Sequence, residues 1–416
     1  MKVKNKSRSW YHWLVVAACC MMSCSAIGIT MNCMGIFYTP VAESFGIGRG
    51  NVAMYSTIIN MVNGLMGPVV AKLMKKIDFK LMLLSGCVIL SLGISSLSFA
   101  NTIWFFYIAA FFIGFGAALM GPISLASILS NWFFEKYGLA TGIALSFSGV
   151  SGALLTPVFS AVINATGWRQ AYLVAGILAG VLVLPGILFV LRLRPEEKGL
   201  LPYGSKGEVV VEQPEETVVP KAKGLLGSPL FFGACAFAFF TASVTSIGAH
   251  FPGYAGELQL ASSVGALMVS ACMVGNVSFK LLLGFLSDLL GEVKACLIIF
   301  CSNALALLCL SLIPGGKSFL SLALAFFFGS IYSVAAVGVP LITKRVFGLV
   351  NFSAVYSYVS VFPCIGSALM ITIIGYIYDA FGSYRIAAGI CFAFSLLATV
   401  LMLLICRGKK GALADR

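Results

Sequence analysis

Residues 170–199 read QAYLVAGILAGVLVLPGILFVLRLRPEEKG. From Ala171 to Leu191 no charged side chain interrupts the run, and Arg192, Arg194, Glu196, Glu197 and Lys198 follow at once. A helix rises 1.5 Å per residue, so about 20 apolar residues cross about 30 Å of hydrocarbon, and charge collects where the helix leaves the bilayer. The passage reads as a membrane span that opens into the one long polar stretch of the chain.

Working outward, apolar runs bounded by charge, Gly, Pro or Asn fall at about 13–38, 51–74, 81–99, 103–126, 139–163 and 170–191, then at about 229–252, 262–286, 295–313, 318–342, 354–377 and 384–406. The fold class expected is an all-α membrane protein of twelve transmembrane helices in two six-helix halves, 1–191 and 229–416, joined by a flexible linker over 192–228. Composition agrees, with 60% hydrophobic and 10% charged residues and a mean hydropathy of +1.02. Lipid is the solvent for most of such a surface. The first run, Trp13 to Tyr38, is too long for a signal h-region and reads as a retained span.

The 13 cysteines, among them Cys19, Cys20, Cys24, Cys87, Cys272, Cys301 and Cys391, lie in apolar runs without metal-ligand spacing and read as small buried hydrophobes. No phosphate-loop motif occurs, and no metal or cofactor is expected. Lys2, Lys4, Lys6, Arg8, Lys75, Lys76, Lys80, Lys136, the linker, Lys294, Lys344, Arg345, Arg407, Lys409 and Lys410 fall on one side, against Arg49, Arg169, Lys317 and Arg385 on the other. The positive-inside rule then puts both termini in the cytoplasm, in a plasma or inner membrane. The +13 net charge follows from that topology, so a nucleic-acid partner is not needed.

The halves resemble each other. Gly167-Trp168-Arg169-Gln170-Ala171 matches Ser383-Tyr384-Arg385-Ile386-Ala387, and the segment from Ala71 to Lys75 occupies the place of Gly284 to Asp288. A duplicated six-span unit is the architecture in which rocking halves gate a central site.

Gly284-Phe285-Leu286-Ser287-Asp288-Leu289-Leu290-Gly291-Glu292-Val293-Lys294 resembles the major facilitator loop motif, in which an acid at a helix end latches one conformation and Gly permits the turn. Gly284, Asp288, Gly291 and Lys294 are its gating residues on that resemblance. The first-half copy departs, with Lys75 and Asp78 where an acid and a Gly belong. Gly35-Ile36-Phe37-Tyr38-Thr39-Pro40-Val41, the loop Trp132-Phe133-Phe134-Glu135-Lys136-Tyr137-Gly138-Leu139-Ala140-Thr141-Gly142, and Arg194-Pro195-Glu196-Glu197-Lys198-Gly199 are similar to the monocarboxylate-transporter and oxalate/formate-antiporter branch. The resemblance implies a small organic anion as substrate; apart from it, a monomer is expected. That branch often holds a cation in the eighth span, and Lys280 stands there, four residues before Gly284, with Asn276 in the place of the branch's acid. No Lys or Arg lies within the eleventh span, so a two-cation clamp is not expected.

Each candidate has a plainer reading beside it. An ionisable group inside a span marks a functional site by default, yet Lys280 is about 12 Å of helix from Asp288 and a long stem can snorkel to the interface. Asn276, Asn32, Asn60, Asn63 and Asn303 can bond a substrate or glue helices. Tyr332, Tyr356 and Tyr358 can offer hydroxyls to a carboxylate or simply pack. The small residues Gly138, Gly142, Ser146, Ser148, Gly149 and Gly152 read as a face for close helix approach. His250 reads as a satisfied interface histidine near the outer end of its span rather than a proton relay. All 14 acids map to loops, span ends or tails, which favours exchange or facilitated transport over proton coupling. The rivals are an exporter of amphipathic drugs or other lipophilic solutes, and a membrane sensor without turnover. Neither an enzyme site nor an appended signalling domain is expected.

Overall fold

The computed structural model describes residues 9–205 and 227–414, whose regular structure is helical apart from one bridge pairing Phe133 with Tyr203. Eleven helices among the described residues are long and apolar enough to cross a membrane. They are Trp10–Phe45, Phe79–Phe99, Ile103–Trp132, Ala140–Thr166, Trp168–Val190, Pro229–Glu257, Ser262–Ser287, Glu292–Leu312, Ser318–Gly348, Val361–Phe381 and Tyr384–Arg407. The remaining segment, second in the chain, comprises Arg49–Leu65 and Gly67–Lys76, two pieces each shorter than a span. With it the order is that of twelve spans, numbered below in chain order.

Spans 1, 4, 7 and 10 are also discontinuous, and proline accounts for most of the breaks. Span 1 passes from Ser9–Ser23 into a π-helical stretch, Cys24–Asn32, a 3₁₀ turn, Met34–Phe37, and a last helix, Tyr38–Phe45; span 7 has Pro229–Thr245, a 3₁₀ turn over Ser246–His250, then Phe251–Glu257. Span 4 changes helix at Gly121, and span 10 at Gly329 and again through a π stretch, Val334–Gly338. Proline lacks an N–H and its ring collides with the carbonyl four residues back. Pro40, Pro252 and Pro340 address Ile36, Gly248 and Ala336, each inside the irregular turn, and Pro122 addresses Ala118 just before the break of span 4. The breaks therefore fall at corresponding places in the two halves of the sequence.

Contacts divide the described chain into two compact units: residues 9–34 with 62–205, and 35–61 with 227–414. In the first, the π stretch of span 1 lies on span 5, where Ser151 donates to the Cys24 carbonyl at 3.5 Å and Cys24 to the Phe147 carbonyl at 3.4 Å. Span 3 meets span 6 through Ser91, which donates to the Gly176 carbonyl at 2.7 Å. The beginning of the polar stretch is seated rather than loose: Trp132 Nε1 donates to Arg192 O at 2.9 Å, Asn131 to Leu193 O at 3.0 Å, and His12 Nε2 to Leu201 O at 2.9 Å. Tyr203 completes the seat, its N–H on Trp132 O at 2.8 Å and its ring against His12 and Phe133.

In the second unit, Gly35 of span 1 meets Ala249 of span 7 so closely that a Cβ on Gly35 would collide with the Ala249 carbonyl. Only glycine fits there, and the two positions are 214 residues apart, between the offsets of the matched segments, 213 from Ala71 to Gly284 and 216 from Gly167 to Ser383. Nine of the cysteines are buried as expected, whereas Cys301 is exposed on span 9.

Candidate functional site

Lys280 sits in the helix Ser262–Leu290, and helical spacing puts it on the face of Val269, Met273 and Asn276, all buried. The opposite face carries Val274, Leu281 and Phe285, the last two 72% and 64% exposed. Lys280 itself is half-buried, with no hydrogen bond or ion pair among the described residues. Lys280 thus shares a helix face with buried side chains, away from the most exposed stripe.

Asn276, one turn earlier, is 3% exposed. Its amide nitrogen reaches only the Met273 sulfur, at 3.8 Å, and its Oδ1 has no partner. Span 10 crosses here at its first break: a Cβ on Gly329 would stand 2.8 Å from the Asn276 backbone nitrogen, and the neighbouring Ser330 hydroxyl is also buried and unpartnered. A buried polar group left unmade costs about 1–3 kcal/mol, and the orphan Asn276 oxygen belongs to the residue one helical turn before Lys280.

The other expected residues do not gather there. Asn32 belongs to the first unit, where its amide donates to Ser148 O at 2.9 Å, and Asn60 bonds within its own helix to Ser56 O at 2.9 Å. Tyr332 donates to Thr245 O at 2.9 Å and braces the break of span 7. Tyr358 is 54% exposed beyond the kink at Gly348. Of the loop motif, Gly291 has φ +82°, which a side chain would strain, while a Cβ on Gly284 would meet open space. Lys294 is exposed, and the side chain of Asp288 lies outside the described residues, as does that of Lys75. Asp78 caps the helix of span 3, accepting from Leu81 N at 2.9 Å.

Two groupings escaped the reading of the sequence. Glu292, inside the motif loop, pairs with Arg345 at 2.5 Å. In the same unit, the segment 35–61 is fastened to spans 7, 11 and 12. Asp379 accepts from the backbone N–H groups of Arg49 at 2.9 Å and Gly50 at 2.8 Å. The Arg49 guanidinium lies 4.2 Å over the Tyr378 ring and donates to the Tyr384 hydroxyl at 3.2 Å. His250, 1% exposed, stands among the rings of Tyr38 and Tyr384, its Nε2 donating to Ile371 O at 2.9 Å and its Nδ1 without a partner. Proline spacing in spans 1 and 7 was the available signal for this cluster.

Twelve spans with matched breaks define a polytopic helical membrane protein of duplicated pattern. The model for the Major Facilitator Superfamily matches residues 14–347 and again 243–413, and the chain belongs to that superfamily. It is 27% identical over 284 residues to monocarboxylate transporter 11 of Homo sapiens, covering 66% of this chain and 56% of that one. It therefore spans little more than half the length of that relative. Monocarboxylate transporter 12 of Mus musculus is 23% identical, with 94% of this chain and 84% of the relative covered. The oxalate:formate antiporter of Oxalobacter formigenes is 23% identical, with 83% and 80% covered. Among solved structures, the nucleoside transporter NupG aligns with a TM-score of 0.74 at 10% identity over 94% of this chain and 99% of that one. A bacterial homologue of the lysosomal transporter Spinster, inward-facing and unoccupied, aligns with a TM-score of 0.73 at 14% identity, with 96% and 98% covered.

Proposed function

We propose that the chain carries small organic anions, carboxylates foremost, by alternating access, and that it favours exchange of one anion for another. The observation that carries this reading is Lys280: a cation on the protein-facing side of a span, with no described anion paired to it and the orphan Asn276 Oδ1 one turn away. A buried ammonium without a partner is unfavourable, so an entering carboxylate relieves an existing cost. The names of the monocarboxylate and oxalate:formate relatives support the same substrate class.

Exchange rather than proton symport is favoured because Asn, not an acid, stands beside Lys280, and the described acids of this unit lie at span ends. The chain works as a multi-pass protein of the cell membrane with both termini in the cytoplasm, an orientation that the Lys/Arg bias supports.

The test is exchange of labelled carboxylates by the reconstituted protein. Lys280→Gln is expected to abolish exchange while expression and folding stay near native, and Lys280→Arg to retain a part, since charge survives although geometry changes. Native exchange in Lys280→Gln would show that Lys280 only snorkels. Competition by hydrophobic dyes and by no carboxylate would favour the exporter of lipophilic solutes.

A further inference from the structure

The fastening of residues 35–61 onto spans 7, 11 and 12 contains one carboxylate and one orphan, and they act in opposite directions. Asp379 straddles two consecutive amides at the start of the helix Arg49–Leu65, where the unpaired N–H groups and the helix dipole both favour an anion. The remaining described hydrogen bonds across this contact do not involve a carboxylate: Arg49 to the Tyr384 hydroxyl, Tyr376 to Asn51 at 2.9 Å, and Thr57 to Ala368 O and to the Thr372 hydroxyl. Asp379 is also exposed, so water can reach it and compete. His250 lies at the dry centre. Its Nδ1 is buried and has no donor among the described residues, although phenols of Tyr38 and Tyr384 flank the ring. The Tyr38 hydroxyl is committed to Ser56 at 2.7 Å. Glu257, the other acid of this region, is engaged by Ser383 and the Tyr384 N–H. Closing the contact thus strands an acceptor that opening would hydrate.

We propose that Asp379 is the latch of this contact and His250 its spring: the carboxylate holds closed a seal that the stranded imidazole nitrogen works to open. The inference rests on the alternating-access reading but not on the substrate, and its test uses none.

A cysteine placed at Ala53, a fully buried position of the same segment, reports opening through its rate of modification by a maleimide. The full-length protein in nanodiscs is compared with the same protein lacking that cysteine, to subtract the native thiols. Asp379→Asn is expected to raise the rate about tenfold, the size of shift that loss of charge-assisted bonds at a helix start gives. Gly48→Ala, whose added methyl would run into the Asp379 carboxylate, is expected to raise it as well. His250→Phe, which keeps a ring and removes the orphan, is expected to lower it. Wild-type rates in both Asp379→Asn and Gly48→Ala, with thermal stability retained, would overturn the latch; a rise in His250→Phe would overturn the spring. Because no anion is present, failure here leaves the Lys280 reading standing, and the reverse also holds.

Discussion

Asn276 in span 8 and Asn303 in span 9 are the same residue type, both buried and in the same unit, yet their surroundings differ completely. Asn303 donates to Phe328 O at 3.2 Å and accepts from the Ser395 hydroxyl at 3.1 Å, tying span 9 to spans 10 and 12. Asn276 has a sulfur contact and a vacant oxygen, with Lys280 one turn further along the same face. The first is spent on structure, the second is held open. An apolar helix interrupted by a polar residue therefore marks a candidate, and partner satisfaction separates glue from site.

Substitution by leucine should break this contrast most sharply in transport. Asn276→Leu is expected to cut carboxylate exchange at least tenfold while leaving the unfolding midpoint unchanged or raised, because replacing an unsatisfied buried group by an apolar one of similar volume removes a cost. A lowered midpoint with full exchange would make Asn276 another helix glue. Asn303→Leu should do the reverse, losing about 1–3 kcal/mol through two broken interhelical bonds and the stranded Ser395 hydroxyl, with exchange per folded molecule kept. Thermal unfolding in detergent, paired with exchange normalised to folded protein, reads both.

Tyr332→Phe sharpens the comparison on the glue side. It frees Thr245 O at the break of span 7 and should cost about 0.6–1.7 kcal/mol, with no loss of anion affinity; a specific rise in the apparent affinity constant would place the hydroxyl in the site after all. The smallest effect belongs to Glu292 and Arg345. The Arg345 side chain is 43% and the Glu292 side chain 35% exposed, so a double-mutant cycle with Glu292→Gln and Arg345→Gln should return a coupling of about 0–1 kcal/mol that fades in salt. A larger, salt-resistant coupling would promote this pair to the role the motif gives to Asp288.

Some of the candidate residues could be named from the sequence, while their surroundings could not, for definite reasons. Lys280 stood out because an ammonium inside a 26-residue span is costly wherever it lies. Asn276 was found by its one-turn spacing. Asn32 and Asn60 looked equivalent to it, but each is bonded to a backbone carbonyl that no periodicity could reveal. Tyr358 was named by its residue type, and it lies exposed beyond the kink at Gly348. Asp379 was read as an acid at a span end, which it is. That it caps a helix 330 positions away depends on packing alone.

By itself the sequence determined that this chain lives in a bilayer, that its spans recur at near-constant offset, and that Lys280 lies well inside one of them. Those properties follow from hydrophobic run length and charge cost, which are sums over local residues. Tertiary structure alone decided which buried polar groups are satisfied, that the prolines of spans 1 and 7 bring Gly35 against Ala249, and that Asp379 reaches the start of span 2. Hydrogen-bond satisfaction is a property of pairs distant in the chain, and only folding chooses the pairs.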